Sequence, residues 1–291
     1  RGCFPRVFLC HSMLVGARGP ARACVKRLPR SRRVRRPTVS SASSDGFSES
    51  ELSVLRARIE EQNLPRLPIL ALDASLPGQC LSTLHLPAGA PVVMAESTRA
   101  GEEEVRGLLG MLGRSLQTGQ PLHRGTAMAL KITKRYEDGS VDVSLTGERC
   151  FELVGSPERA AGVAQHSVCR VRWLDTEAGE EAPSAAVLMA SRRLEGLVEE
   201  WQALVRDGGH EKQPNQLETV LEPLGPMPPE DKPGARALWV AALINPLPAL
   251  GVSLEIRPAA IMAENVTDRV AVVVDGIETS IAHLAGTKRL W

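Results

Sequence analysis

The order of patterns along this chain predicts an α+β fold, a small barrel-like sheet of five or six strands followed by a helical bundle. Three observations carry that expectation. First, Arg135 to Val154, RYEDGSVDVSLTGERCFELV, alternates apolar and polar residues with a period of two. Val141, Val143 and Leu145 then share one face, and Asp142, Ser144 and Thr146 the other. Second, Met128, Leu130 and Ile132 repeat the pattern upstream, and Glu137-Asp138-Gly139-Ser140 lies between the two runs, with Gly139 free to take the positive φ of a tight turn. Third, beyond Ser184 the apolar spacing lengthens to that of amphipathic helices.

Taken in chain order, residues 1–44 hold eleven Lys or Arg and no Asp or Glu, and the first acid is Asp45. This stretch ends KRLPRSRRVRRPTVSSASSDG, rich in Arg and Ser, and has the composition of an organelle transit peptide. A plastid is the first expected location, with a mitochondrion or the nucleus as alternatives. A disordered basic tail or a nucleic-acid-binding arm shares that composition. The remainder carries 24 basic against 34 acidic residues, and a body of that charge repels phosphate backbones. Nucleic acid is therefore not expected as a partner of the body. The most apolar stretch, Ala237 to Ile256, is interrupted by Pro246 and Pro248 and makes no membrane span.

Ser48 to Gln62 combines a Ser with Glu three residues on and apolar positions at Leu52, Leu55 and Ile59, which predicts a short capped helix. Strands are expected at Leu67 to Leu72 and Cys80 to Leu86, joined by a Leu-Pro-Gly turn, with a third at Pro91 to Ala95. Gly101 to Leu116 opens on three glutamates and spaces Val105, Leu108, Leu109 and Leu112 as a helix does, although Gly107, Gly110 and Gly113 weaken it. A hairpin from Gly125 to Leu145 follows. Gly147 permits a bulge, after which Arg149, Phe151 and Leu153 resume the alternation. HSVCRVRWLD places Cys169, Val171 and Trp173 on one side and Arg170 and Arg172 on the other.

Ser184 caps a helix running to about Arg206, with Leu194, Leu197, Val198, Trp201, Leu204 and Val205 on one face and Gly208-Gly209 as its stop. Six prolines between Pro214 and Pro233 predict an extended connector. Helices are then expected at Ala235 to Ile244, at Ile256 to Ala263, and from Thr267 onward, lined by Val270, Val273, Val274, Ile277, Ile281 and Leu284. The divisions are a basic segment at 1–44, a barrel subdomain at 64–180 and a helical subdomain at 184–288.

This ordered set, LPILALDASLPGQ, GTAMALKITKRYEDGSVDVSLTGERCFELV and VCRVRWLD followed by helices, resembles the N-terminal domain of Lon proteases, the LON substrate-binding domain. Gly125, Thr126, Asp138, Gly139, Gly147, Arg149 and Phe151 stand at the positions that mark the family's central hairpin, and Leu67-Pro68-Ile69 and Leu76-Pro77-Gly78 match its first strand and turn. One departure is clear: Leu84-His85-Leu86-Pro87-Ala88-Gly89 replaces the family's aromatic and Glu-Pro-Arg-Tyr-like segment. The resemblance implies a PUA-like pseudo-barrel against helices and a role in recognising protein substrates or partners.

Motifs for chemistry do not accompany it. The chain has no G-x-x-x-x-G-K-[ST] phosphate loop, no Ser-Lys peptidase motif resembling Lon's, no G-x-S-x-G elbow and no H-E-x-x-H. His85, His123 and His166 lie in or near the predicted sheet without a motif linking them, and Asp138 is read as a turn residue. Of six cysteines, Cys3, Cys10 and Cys24 fall in the basic segment and Cys80, Cys150 and Cys169 stand far apart, the distribution of a reduced compartment. His166 and Cys169 have ligand-like spacing but face opposite sides of a strand. Phe151 and Trp173 are read as core, and Arg149, Arg170 and Arg172 as the sheet's wet face. No catalytic, metal or cofactor residue is assigned. The expected function is non-enzymatic binding of a protein or peptide, as an adaptor or substrate-recognition factor in organellar proteostasis. The alternative is an accessory subunit or fragment of an ATP-dependent protease whose catalytic part is on another chain, and RNA binding by PUA-like analogy is the weaker rival.

Overall fold

A computed structural model describes residues 48–88, 107–159, 167–174, 177, 183–245 and 254–287. The basic segment, the strand expected at Pro91 to Ala95, and His166 lie outside these residues. Six strands form one mixed sheet: β1 (Arg66–Ala71), β2 (Cys80–Leu86), β3 (Leu108–Arg114), β4 (Pro121–Arg135), β5 (Val141–Arg159) and β6 (Ser167–Trp173). Their order is β2-β5-β4-β3-β1-β6, and β5 also pairs with β6. The pairings therefore run in a closed circuit through β1, β3, β4, β5 and β6, with β2 attached outside it to β5. Only β1 and β3 pair in parallel.

The long hairpin β4–β5 supplies strands to both halves of the sheet, and a bulge divides its work. Ala127 pairs with Arg149 while Met128 pairs with Gly147, so Glu148 is the extra residue. One added residue reverses which face each later side chain meets. Val141, Val143 and Leu145 consequently join a cluster outside the circuit with Leu109, Met111 and Met128. Phe151, with the same odd-numbered parity, enters the cluster inside it beside Leu67, Leu108, Leu112, Cys169 and Val171. The expected bulge is present, but the alternation resumes on the opposite face. Gly110 and Gly125 make room for the inner ring: a Cβ on Gly110 would meet Phe151 at 3.0 Å, and one on Gly125 at 2.9 Å.

The helix expected over Gly101 to Leu116 is corrected: Leu108–Arg114 is β3, with 101–106 outside the described residues. Six consecutive residues of β3 are buried, as in a strand covered on both faces, and such a run carries no period that separates strand from helix. Gly110 and Gly113 serve close approach here, since a Cβ on Gly113 would lie 2.7 Å from Ala74 Cβ.

Six helices complete the described structure: α1 (Glu49–Gln62), α2 (Ala185–Asp207), α3 (Gln216–Leu224), α4 (Pro233–Ile244), α5 (Arg257–Met262) and α6 (Val266–Leu284). As the sequence predicts, Ser184 caps α2, its hydroxyl accepting from the Val187 amide at 3.3 Å. The Pro-rich stretch is not extended throughout. Leu217 and Leu224 bury against the bundle core, with Val220 and Leu221 packed on it, and this burial holds Gln216–Leu224 helical with Pro223 in its last turn. α1 forms as expected, yet none of its residues is buried. Trp201 of α2, fully enclosed, donates to the Ser280 hydroxyl of α6 at 2.8 Å.

Sheet and bundle meet at the turn after β1. Gly147 of the bulge exchanges backbone hydrogen bonds with this turn, donating to Gln79 and accepting from Gly78, each at 2.9 Å. Gln79, 5% exposed, then donates through Nε2 to the carbonyls of Ala242 and Asn245 at the end of α4, each at 2.9 Å. Leu76 from the same turn sits in the bundle core. A Cβ on Gly147 would stand 2.3 Å from the Leu76 carbonyl oxygen, which is backbone and has nowhere to go. Gly147→Ala is therefore expected to lower stability by about 3 kcal/mol, measured by urea unfolding, whereas Gly196→Ala, with open space around its Cβ on α2, is expected to leave stability unchanged or slightly raised.

Candidate functional site

Among the described residues the outer cluster is closed incompletely. Its buried members are Leu86, Leu109, Met111, Met128, Val141, Val143 and Leu145. Half-buried leucines and an isoleucine lie over them: Leu70 of β1, Leu72 just beyond it, Leu81 and Leu84 of β2, and Leu130 and Ile132 of β4. A second bulge creates this surface. On β2, Leu81 pairs with Leu145 and Leu84 with Val143, two residues opposing Ser144 alone. Leu81, Leu84 and Leu86 thereby share one face despite their unequal parity. Among the described residues β2 has a single neighbour, β5, so its other side is a strand edge.

A polar cluster pins that edge from the opposite face. His85 and Asp142 pair across β2 and β5, and the His85 Nδ1 to Asp142 Oδ1 distance is 2.8 Å. The Tyr136 hydroxyl donates to Asp142 Oδ2 at 2.7 Å, and its ring meets His85 edge to face with centroids 5.5 Å apart. Lys134 Nζ lies 4.5 Å from the Tyr136 ring centroid. The hydrogen bond from Tyr136, then that from His85, holds the Asp142 carboxyl below its ordinary range, and the same bond raises the Tyr136 phenol. Both carboxylate oxygens are thus engaged, one with β2 and one with the β4–β5 turn. Asp138 has the turn role read from the sequence: Oδ1 accepts from the Ser140 amide at 2.9 Å and its hydroxyl at 2.6 Å, which lowers the carboxyl pKa.

The remaining residues singled out from the sequence are scattered. His123 is exposed on β4, 3.8 Å from Glu152, whereas His85 lies on β2. Glu152 also faces Arg124 at 3.5 Å and Arg172 at 3.8 Å across the neighbouring strands. Phe151 is core, as expected, while Trp173 is half-buried with the Arg149 guanidinium stacked 3.4 Å from its ring centroid. Arg149, expected on the wet face, is half-buried on the face it shares with Phe151. Cys150 and Cys169 are buried free thiols and Cys80 is half-buried; burial pushes the Cys150 thiol up to about 11. Among the described residues no group of three or more His, Cys, Asp or Glu is placed to hold a metal. No described helix is long and apolar enough to cross a membrane. The half-buried leucines were missed in the sequence because each occupies an ordinary core position of its strand.

No family model matches the chain. No curated protein matches it either. Among solved structures it is similar to the N terminal domain of the Mycobacterium avium complex Lon protease, at 16% identity and a TM-score of 0.47, over 73% of this chain and 98% of that one. It is also similar to a Lon N-terminal domain protein from Xanthomonas campestris, at 14% identity and a TM-score of 0.44, with the same shares covered.

Two predictions follow from the geometry of the site. The chain has one tyrosine, so its ultraviolet titration reports Tyr136 alone. The raised phenol means that its bond to Asp142 is intact below the free phenol's range and is lost as pH climbs through the raised value; the lowered Asp142 makes its contribution complete above the ordinary carboxylate range and lost as pH falls through the depressed one. Asp142→Asn is expected to bring the Tyr136 titration down toward the free phenol. Native-state alkylation with peptide mapping is expected to leave Cys150 unmodified until the protein unfolds, because little thiolate exists at neutral pH and none of it is accessible.

Proposed function

We propose that this chain is a LON-type polypeptide-binding module, which takes an extended, apolar segment of another protein onto the outer cluster and the edge of β2 without transforming it. The observation that carries the reading is the juxtaposition of Leu70, Leu72, Leu81, Leu84, Leu130 and Ile132 with a strand edge. An extended peptide adding to an edge gains main-chain hydrogen bonds, and its alternate side chains meet the apolar surface. The ordered sequence motifs of the LON family support the same reading, as does the closed circuit of pairings, which fits a PUA-like barrel. A binding role also suits the His85–Asp142 pair, whose carboxylate is spent on a contact to β2 and one to the hairpin turn rather than held ready for a substrate. An organellar adaptor is the cellular setting that the basic segment favours.

The test uses the full chain and a fluorescently labelled, reduced and carboxymethylated protein that cannot fold. Anisotropy is expected to show saturable binding that Leu84→Ser combined with Ile132→Ser weakens by about tenfold, or ~1.4 kcal/mol. Met189→Ser, at an exposed site on α2, is the control that leaves binding unchanged. Equal affinity for both variants would sink the docking face, and turnover of casein or ATP by the purified chain would overturn the non-enzymatic reading.

A further inference from the structure

The edge that β2 offers is narrower than the strand itself. Where β4 turns into β5 the Tyr136 amide donates to the Ser140 carbonyl at 3.0 Å, so these two residues form a hydrogen-bonded pair. Such pairs recur at every second residue, which makes Lys134 and Asp142 the next one. The Thr133 hydroxyl donates to the Asp142 carbonyl at 3.0 Å, as expected for a carbonyl that points toward β4. The main-chain groups of Val141 and Val143 therefore point the other way, to their partners Leu86 and Leu84 on β2. His85 lies between those partners, so its own N–H and C=O point away from β5, out of the open edge. Pro87, two residues on, has no N–H, and two residues back the chain enters the Ser82–Thr83 bulge. One residue, His85, is thus left to offer both main-chain groups in regular strand geometry.

The side chains around that point are of two kinds. Leu84 and Leu86 belong to the leucine face, and His85 to the opposite one beside Asp142. The Asp142 carboxyl, held low by Tyr136 and His85, is ionised at neutral pH and only accepts, so His85 Nδ1 carries the ring proton. In the neutral ring Nε2 is then an acceptor. No described residue bonds it, and the side chain is 59% exposed. Lys134 pairs with Asp142 across the strands, so charges of both signs stand on this face and neither an acidic nor a basic newcomer is favoured. A neutral donor is what this acceptor matches.

We propose that His85 determines the specificity of the docking edge: one residue of an incoming antiparallel strand exchanges both main-chain hydrogen bonds with it and donates a neutral side-chain group to Nε2. The residues on either side of that one are apolar and lie against Leu84 and Leu86. This rests on the docking function proposed above and adds a register and a ligand pattern to it, apolar–donor–apolar. The direction follows from the single residue available, since only an antiparallel partner takes both of its bonds with one residue. Threonine suits the central place, because its hydroxyl donates and its branched Cβ favours a strand.

The test is the pentapeptide acetyl-Ala-Leu-Thr-Leu-Ala-amide, titrated into the isotope-labelled full chain and followed by backbone amide signals. Its two leucines fix the register, since a shift by two residues loses one of them. Saturable movement is expected at the His85 amide, which gains a partner, and less at Leu84 and Leu86, whose amides already bond β5. N-methylation of the threonine is expected to weaken binding by about tenfold, and that of either leucine by less than about twofold, because the leucine N–H groups point away from β2. Threonine replaced by valine is expected to bind about fivefold more weakly, and His85→Ala to erase that difference, with circular dichroism reporting that the variant folds. If it does not fold, the threonine and valine peptides on the unaltered chain decide. The proposal is overturned if N-methyl leucine costs more than N-methyl threonine, if valine binds as tightly as threonine, or if a folded His85→Ala chain still prefers threonine. It is overturned as well if the pentapeptide fails while the carboxymethylated protein still binds, and the docking face then stands. Failure of both ligands brings down the docking face itself.

Discussion

The docking of the helical bundle on the sheet depends on the backbone exchange between Gly147 and the turn Leu76–Gln79. Two hydrogen bonds of 2.9 Å fix the bulged strand to that turn, and the Gln79 side chain carries the connection onward to the end of α4. The contact is possible only because position 147 lacks a Cβ, given the 2.3 Å that one would leave to the Leu76 carbonyl. Further contacts support the same joint. Thr126 donates to the Ser75 carbonyl at 2.6 Å, and Arg124 donates to the carbonyls of Met262 and Ala263 at the end of α5. The Glu177 carboxylate accepts from the Gly234 and Ala235 amides, satisfying two orphan donors in the first turn of α4. Gln79 and Thr126 are buried with their polar groups paired, so the joint specifies one docking geometry rather than a loose apolar contact.

Much of this was legible in the sequence. Alternation marks β5 and the second half of its partner β4, Asp-Gly marks the turn, and Ser184 with its following apolar stripe marks α2 almost to the residue. The failures have physical causes. β3 is covered on both faces, so Leu108-Leu109-Gly110-Met111-Leu112 shows no alternation, and its glycines look like helix weakeners until their close neighbours are seen. The helix Gln216–Leu224 was hidden because prolines flank and enter it, while its stability comes from burying Leu217 and Leu224 against elements distant in sequence. Parity was the subtlest loss. Val143 and Phe151 have the same parity with an expected bulge between them, and only the pairing of strands reveals that Glu148 sends them to different cores.

The candidate surface is less legible than the fold for a related reason. It lies beside a bulge, and a bulge is a property of two strands, visible in neither alone. The β2 bulge gathers Leu81, Leu84 and Leu86 on one face. In the sequence Gly147 stands out for its conformational freedom, whereas nothing there marks the Leu81–Leu84 pair. His85, which no sequence motif links to another histidine, belongs to the set of groups that ties β2 in place.

The uncovered apolar surface is itself a consequence of how the bundle docks. The outer face of β4 and β5 runs continuously from Arg124 and Cys150, where the helices cover it, to Ile132 and Val141, and the joint at Gly147 marks the change between the two halves. Because the Leu76–Gln79 turn fills the space over Gly147, the helices are held to the Cys150 half and cannot spread over the other. Among the described residues the second half is covered by its own leucines, and these stay half-buried. Moving the bulge would extend one core at the expense of the other, so the stability of the joint and the openness of the leucine face have a common origin. Among the described residues this leaves a fixed apolar surface next to a strand edge, the arrangement on which the proposed docking of an extended chain rests.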